Sequence, residues 1–170
     1  DRKQHGENCY RRALQVVREM THPSCRPVEL NTFLDFPREL LGVRMRKEAV
    51  KVMHGAMEML DDLAEEQLDD DGEVIAPAHP MAMGANGAIN RSAILRTMSQ
   101  AAASMGSMEA AEGGLKEAIK LASAVSADQA TMQVECAKRE LAYLITTRLP
   151  SRVAEAEPLL RNVLEMLQAR

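Results

Sequence analysis

Asp61-Asp62-Leu63-Ala64-Glu65 is the stretch whose residue types come nearest to chemistry. Closely spaced carboxylates on a helix can hold Mg²⁺ against a diphosphate. That ion, however, bridges several oxygens, so the reaction needs a second acidic cluster across a cavity. No such cluster exists in the sequence, and the aromatics that would line an isoprenoid pocket are missing. Asp69, Asp71 and Gly72 hint at a calcium loop. Setting Gly72 at the obligatory glycine puts Gln67 first and Ala78 last, where carboxylates are required, and the motif fails. His5, His22, His54 and His79 show no i, i+4 pairing and no cysteine at ligand spacing, so no metal is expected. Gly84 and Gly87 lack the following lysine of a phosphate loop. A Cys–His pair needs only spatial adjacency, but cysteines in helical stripes read as packing residues. Neither a cofactor nor a catalytic group is expected.

The elements that would position any site are helices. Ala, Leu, Met and Glu dominate, all strong helix formers. Val and Ile are sparse, and Tyr10, Phe33, Phe36 and Tyr143 are the aromatics. Twelve methionines take their place as adaptable space-fillers. At 170 residues and 46% hydrophobic, the chain can build a real core and is no disordered tail. Its net charge of -4 is unevenly spread, for nine acidic residues and no Lys or Arg fall between Glu58 and Glu73. That acidic strip suits a basic partner; its other reading is a solvated helix end. Asp61 and Asp62 lie toward the C-terminal end of a helix, where the macrodipole disfavours negative charge. Mild charge and few aromatics argue against nucleic acid. No apolar run is long enough for a membrane span. Cys9, Cys25 and Cys136, odd in number and far apart, point to reduced thiols in a cytoplasmic or other intracellular setting, an organelle included.

Four segments share one helical stripe at i, i+3, i+4, i+7. They are Tyr10-Ala13-Leu14-Val17, Met53-Ala56-Met57-Leu60, Leu115-Ala118-Ile119-Ala122 and Leu160-Val163-Leu164-Leu167. Four residues before each anchor stands a small residue: Gly6, Ala49, Ala111 and Ala156. Three of the segments add an i, i+4 pair in the favourable orientation: Glu7–Arg11, Glu112–Lys116 and Glu157–Arg161. The small residues are spaced by 43, 62 and 45 positions. The long interval contains a Gly/Pro/Asp-rich stretch, Asp69–Asn86, which reads as an inserted loop. Partner helices are expected over Val28–Leu41, Ile89–Met105 and Ala130–Thr147, with turns at Gly106 and at Pro150-Ser151. Ser151 is the expected N-cap of the last helix.

The run beginning Glu157-Pro-Leu-Leu-Arg, preceded by Ala154-Glu-Ala, resembles the second helix of a tetratricopeptide repeat, as does Glu7-Asn-Cys-Tyr-Arg-Arg-Ala-Leu. The longer-period repeats of kinesin light chains are the variety most similar. Gly106-Ser-Met-Glu-Ala-Ala-Glu is similar to that family's turn, and Leu30-Asn31-Thr32 and Glu140-Leu141-Ala142 to its first helix. Pro37, Pro158 and Gly113-Gly114 depart from a regular pattern. The resemblance implies an all-α solenoid of antiparallel hairpins: a partial repeat at 1–24, a repeat at 25–68, an insert loop at 69–87, and repeats at 88–126 and 127–170. The missing first helix reads as the mark of a fragment or processed product. The implied function is a non-catalytic scaffold or adaptor, binding a partner peptide or subunit in a concave groove within a larger assembly. Groove positions carried over by phase are Asn31, Thr32, Asp35, Arg38, Arg96, Thr97, Gln100, Arg139, Glu140 and Tyr143. Arg96 and Arg139 would hold a partner's carboxylates by paired hydrogen bonds. The alternative is a compact helical bundle, an enzyme or ligand carrier with a methionine-lined cavity. Its radius of gyration would be about 15–16 Å.

Overall fold

The structure, a computed structural model, describes residues 46–65, 67–68, 74–76, 78–126 and 128–168, together with Asn8, Arg12 and Leu41. Within these the chain is helical: α1 (Arg46–Ala64), α2 (Gly84–Ser104), α3 (Met108–Ser123), α4 (Asp128–Arg148) and α5 (Ala156–Gln168). A short antiparallel ribbon, β1 (Gln67–Leu68) with β2 (Val74–Ala76), lies between α1 and α2. The expected helix at Val28–Leu41 falls outside the described residues except for Leu41.

On α1 the buried side chains are Ala49, Met53, Ala56, Leu60 and Leu63: of the expected stripe Met53, Ala56 and Leu60 are buried and Met57 is half-buried, while Leu63 continues the face toward the end of the helix. On α3 they are Ala111, Leu115, Ala118 and Ala122. The small residues Ala49, Ala111 and Ala156 are all buried, so each lets a neighbouring backbone approach. Each fully buried Met, Leu or Ile contributes roughly 1.5–3 kcal/mol. α2 shows no such single stripe. Its buried positions, among them Ile89, Ser92, Ile94, Thr97 and Ala101, point several ways because α1, α3 and α4 all pack on it. Ser92 is tolerated there because its hydroxyl donates to the Ala118 carbonyl of α3 at 3.0 Å.

Packing follows the chain: α1 on α2, α2 on α3, α3 on α4 and α4 on α5, with α4 also reaching α2. Buried apolar side chains form two clusters. One joins Met53, Leu60 and Leu63 of α1 to Ile94 and Ala101 of α2. The other joins Ala111 and Leu115 of α3 to Leu141, Ala142 and Ile145 of α4 and Ala156 of α5.

The α2–α3 turn has a defined chemistry. Gly106 takes φ +88°, and the Ser107 and Gly106 amides donate to the Ala102 and Ala103 carbonyls. This pattern satisfies the end of α2 and needs a residue at ease in the left-handed region. Gly114 has a different purpose. A Cβ built there would stand 2.3 Å from Ser99 Oγ, so the glycine sets the distance between α2 and α3. Pro158 sits in the first turn of α5, where a missing amide hydrogen costs no helical bond. Pro37 lies outside the described residues.

Three expectations need correcting. The stretch read as an inserted loop carries β2, and α2 begins at Gly84, five residues earlier than expected from Ile89. After the ribbon the chain returns to α1, where the His79 amide donates to the Leu63 carbonyl at 2.6 Å. Asn90 Nδ2 then donates to the Met81 carbonyl at 2.8 Å, tying this return to α2. Ser151 does not cap the last helix; Pro150–Glu155 forms a 3-10 helix and α5 starts at Ala156. The 3-10 segment persists because Arg152 is held by two carboxylates described below.

Candidate functional site

A groove of about 780 Å³ opens along the C-terminal halves of α2 and α4, with α3 behind it and α5 at one end. Gln100 of α2, Arg139, Tyr143, Thr147 and Arg148 of α4, and Leu160 of α5 are among its walls. Tyr143 is 71% exposed, an unusual position for a large ring.

The groove's serine and threonine hydroxyls are committed to their own helices. Ser99 donates to the Leu95 carbonyl and Ser104 to the Ala101 carbonyl, both at 2.7 Å. Thr146 and Thr147 donate to the Ala142 and Tyr143 carbonyls at 3.0 and 2.7 Å. Such local bonds are the usual outcome for Ser and Thr inside helices. The groups left to face an occupant are the Gln100 amide, the Tyr143 hydroxyl and the Arg139 and Arg148 guanidinium groups, beside the apolar surface of Ala103, Leu144 and Leu160. No methionine lines this groove. Cys136 is a half-buried free thiol at its floor.

The expected groove residues divide. Gln100, Arg139, Glu140 and Tyr143 lie together in the groove. Thr97 does not: it is buried, its hydroxyl donating to the Ala93 carbonyl at 3.1 Å. Helical phase placed it on the inner face, but α2 is covered on that side as well. Arg96 is engaged within the fold. Its Nε and Nη2 donate to Glu140 at 3.2 and 2.5 Å, and its Nη1 donates to Gln133 at 2.6 Å. The expected clamp on a partner's carboxylate is therefore, at Arg96, a clamp from α2 onto α4. Asn31, Thr32, Asp35 and Arg38 lie outside the described residues. Thr147, Arg148 and Leu160 line the groove without having been expected. Thr147 is one helical turn beyond Tyr143, so extending the same phase would have found it.

Within the acidic strip, Glu58, Asp61, Asp62 and Glu65 are exposed. Arg91 of α2 answers their unfavourable place at the end of α1. It donates to Asp61 at 2.5 Å and to the Leu60 carbonyl at 3.3 Å, meeting a carboxylate and a helix-end carbonyl together.

Behind the groove Arg152 donates to Glu112 through Nη1 and Nη2 and to Glu155 through Nε and Nη2. Lys116 adds a contact to Glu112 at 2.6 Å. The hydrogen bonds from Arg152, then from Lys116, hold the Glu112 carboxyl at about 2. Glu155 is lowered as well, again chiefly by Arg152.

Among the described residues no group of three His, Cys, Asp or Glu is placed to hold a metal ion. Nor is any described helix long and apolar enough to cross a membrane. No protein-family model, curated protein or solved structure matches the chain.

Proposed function

We propose that this chain is a non-catalytic interaction scaffold, a solenoid of helical hairpins resembling tetratricopeptide repeats, which holds a peptide or subunit of a partner protein. The groove carries the reading: two successive first helices of hairpins, α2 and α4, bring Gln100, Arg139 and Tyr143 to one open surface of about 780 Å³. A cleft with an exposed aromatic ring, fork-shaped cationic donors and an apolar floor suits an extended partner segment. Two apolar clusters strung along the chain fit stacked hairpins, in which each unit leans on the next. The absence of methionine from the groove wall weighs against a methionine-lined ligand cavity at this place.

Affinity capture from the native source, run in parallel with the wild-type chain and with Gln100→Ala/Tyr143→Ala, tests the reading. Both residues are exposed, so the fold is expected to survive. At least one protein is expected to be retained by the wild type and lost with the double variant. Identical captures, or none, would remove the scaffold function.

A further inference from the structure

Between the ribbon and α2 the chain makes a turn whose first residue is a histidine. The Ala82 amide donates to the His79 carbonyl at 2.9 Å, and Pro80 stands second, where its fixed φ favours the bend. A side chain closes the same turn again: the Met81 amide donates to His79 Nδ1 at 3.2 Å. The ring thus does what aspartate or asparagine does at the head of a turn, accepting the amide two residues on. An imidazole accepts at Nδ1 only while that nitrogen carries no proton, so here the ring is neutral with its hydrogen on Nε2. His79 is half-buried, so solvent protons reach it.

This turn fastens α1 to α2. At its head the His79 amide bonds the Leu63 carbonyl of α1. From α2, Asn86 Nδ2 donates to the Pro80 carbonyl at 3.3 Å and Asn90 Nδ2 to the Met81 carbonyl. Ala82 is buried in the cluster that Met53 and Leu60 of α1 form with Ile94 of α2, and half-buried Met81 packs against it. The fit is close, for a Cβ built on Gly87 would stand 2.0 Å from the Ala82 carbonyl oxygen. The shape of the turn therefore decides whether Ala82 reaches its place. Charges near the turn come from the two helices. The end of α1 presents Asp61, Asp62 and Glu65, all exposed, together with its terminal carbonyls. Arg91 of α2 is engaged by Asp61 and the Leu60 carbonyl. β1, β2 and residues 80–90 carry no titratable side chain.

We infer that His79 is an acid-sensitive latch on the joint between α1 and α2. Neutral, its ring fastens the 79–82 turn and seats Ala82 in the core the two helices share. Protonated, it carries hydrogens on both nitrogens, so Nδ1 meets the Met81 amide donor to donor and the bond is lost. The cation turns instead to the end of α1, where the terminal carbonyls and the carboxylates of Asp62 and Glu65 favour positive charge. Both effects draw the ring away from Met81, so a single proton exchanges one arrangement for the other. The latch lies at the other end of the described fold from α5 and goes beyond the groove reading; neither depends on the other.

Nuclear magnetic resonance of the full isotope-labelled chain, between about pH 8 and about pH 5 where histidine changes charge, tests the latch. The His79 ring signals follow protonation. Amide hydrogen exchange, corrected for its intrinsic pH dependence, follows the turn. Protection at Met81 and Ala82 is expected to fall about fivefold to tenfold as the ring titrates, while the amides of α3 keep theirs. His79→Asn supplies an acceptor that does not titrate, and is expected to keep Met81 protected across the whole range. His79→Ala is expected to leave Met81 poorly protected throughout, with α3 again unchanged, which separates a loosened turn from a lost fold. Met81 protection that ignores the titration of His79 overturns the proposal. So does a fall with pH that persists in His79→Asn, since another group then governs it. Wild-type protection of Met81 in His79→Ala at about pH 8 overturns it too, because the ring is then no fastener.

Discussion

Arg152 and Glu112, 40 residues apart in sequence, meet through two parallel hydrogen bonds of 2.8 and 2.9 Å, so that the 3-10 turn before α5 is bolted to the second turn of α3. The arrangement is the fork-to-carboxylate geometry for which arginine is better suited than lysine.

The Glu112 carboxyl, held at about 2 instead of 4.5, is ionised in the folded chain at pH values where the unfolded chain would protonate it. Its contribution is therefore complete above about pH 4.5 and is lost as pH falls toward 2. Glu112→Gln is expected to cost about 1 kcal/mol at pH 7, a figure discounted for solvent screening. Urea unfolding of both proteins at pH 7, 4 and 2.5 checks this. The two stabilities should converge as the pH drops, and a gap that stays constant to pH 2.5 would contradict the account.

The adjacent glycines of α3 should respond to alanine with opposite signs. At Gly113 a Cβ meets nothing within 4 Å, so Gly113→Ala should stabilise by roughly 0.5–1 kcal/mol through helix propensity and a restricted unfolded chain. At Gly114 the same change drives a Cβ into Ser99 Oγ, and the strain of about 1–3 kcal/mol outweighs the propensity gain. Adding Ser99→Ala should recover part of the Gly114→Ala loss. Thermal melts of the four proteins decide the matter, and a stabilised Gly114→Ala would refute the close approach.

Removing Arg96 leaves half-buried Glu140 and Gln133 without their donor. Arg96→Ala should cost about 1–3 kcal/mol, since the carboxylate loses its counterion in a partly desolvated place. Arg96→Lys keeps the charge but not the fork, and should recover less than half of that loss. Equal stability of the lysine variant and the wild type, by denaturant midpoint, would show that geometry is unimportant there.

Arg91→Ala should remove both the Asp61 pair and the bond to the Leu60 carbonyl at the end of α1. The global loss should be small, about 0.5–1 kcal/mol, because Asp61 is largely exposed. Amide hydrogen exchange should nevertheless quicken in the last turn of α1 and hardly change in α3. Uniform exchange across both helices would show that Arg91 does not secure that end.

The helices α1 and α3 were legible because each buries one face, and a single apolar stripe with a small residue ahead of it survives as a sequence pattern. The pairs Glu112–Lys116 and Glu157–Arg161 formed as read, because residues four apart on a helix meet whatever surrounds them. α2 was harder to bound. Covered on several sides, it has no dominant apolar face, and its start at Gly84 lay inside residues that composition marks as loop. The ribbon before it depends on pairing between short segments whose residues show no alternation worth noting.

Local periodicity and residue type therefore settled that the described part of the chain is mainly helical, where α1, α3 and α5 lie and which of their faces are apolar. They did not settle which of those faces another helix covers. Leu115 and Leu160 occupy the same place in their segments, yet one is sealed by α4 and the other stands open, and Arg96 and Arg139 differ in the same way. Burial is a property of what arrives from elsewhere in space, and only the tertiary arrangement of α2, α4 and α5 decides it.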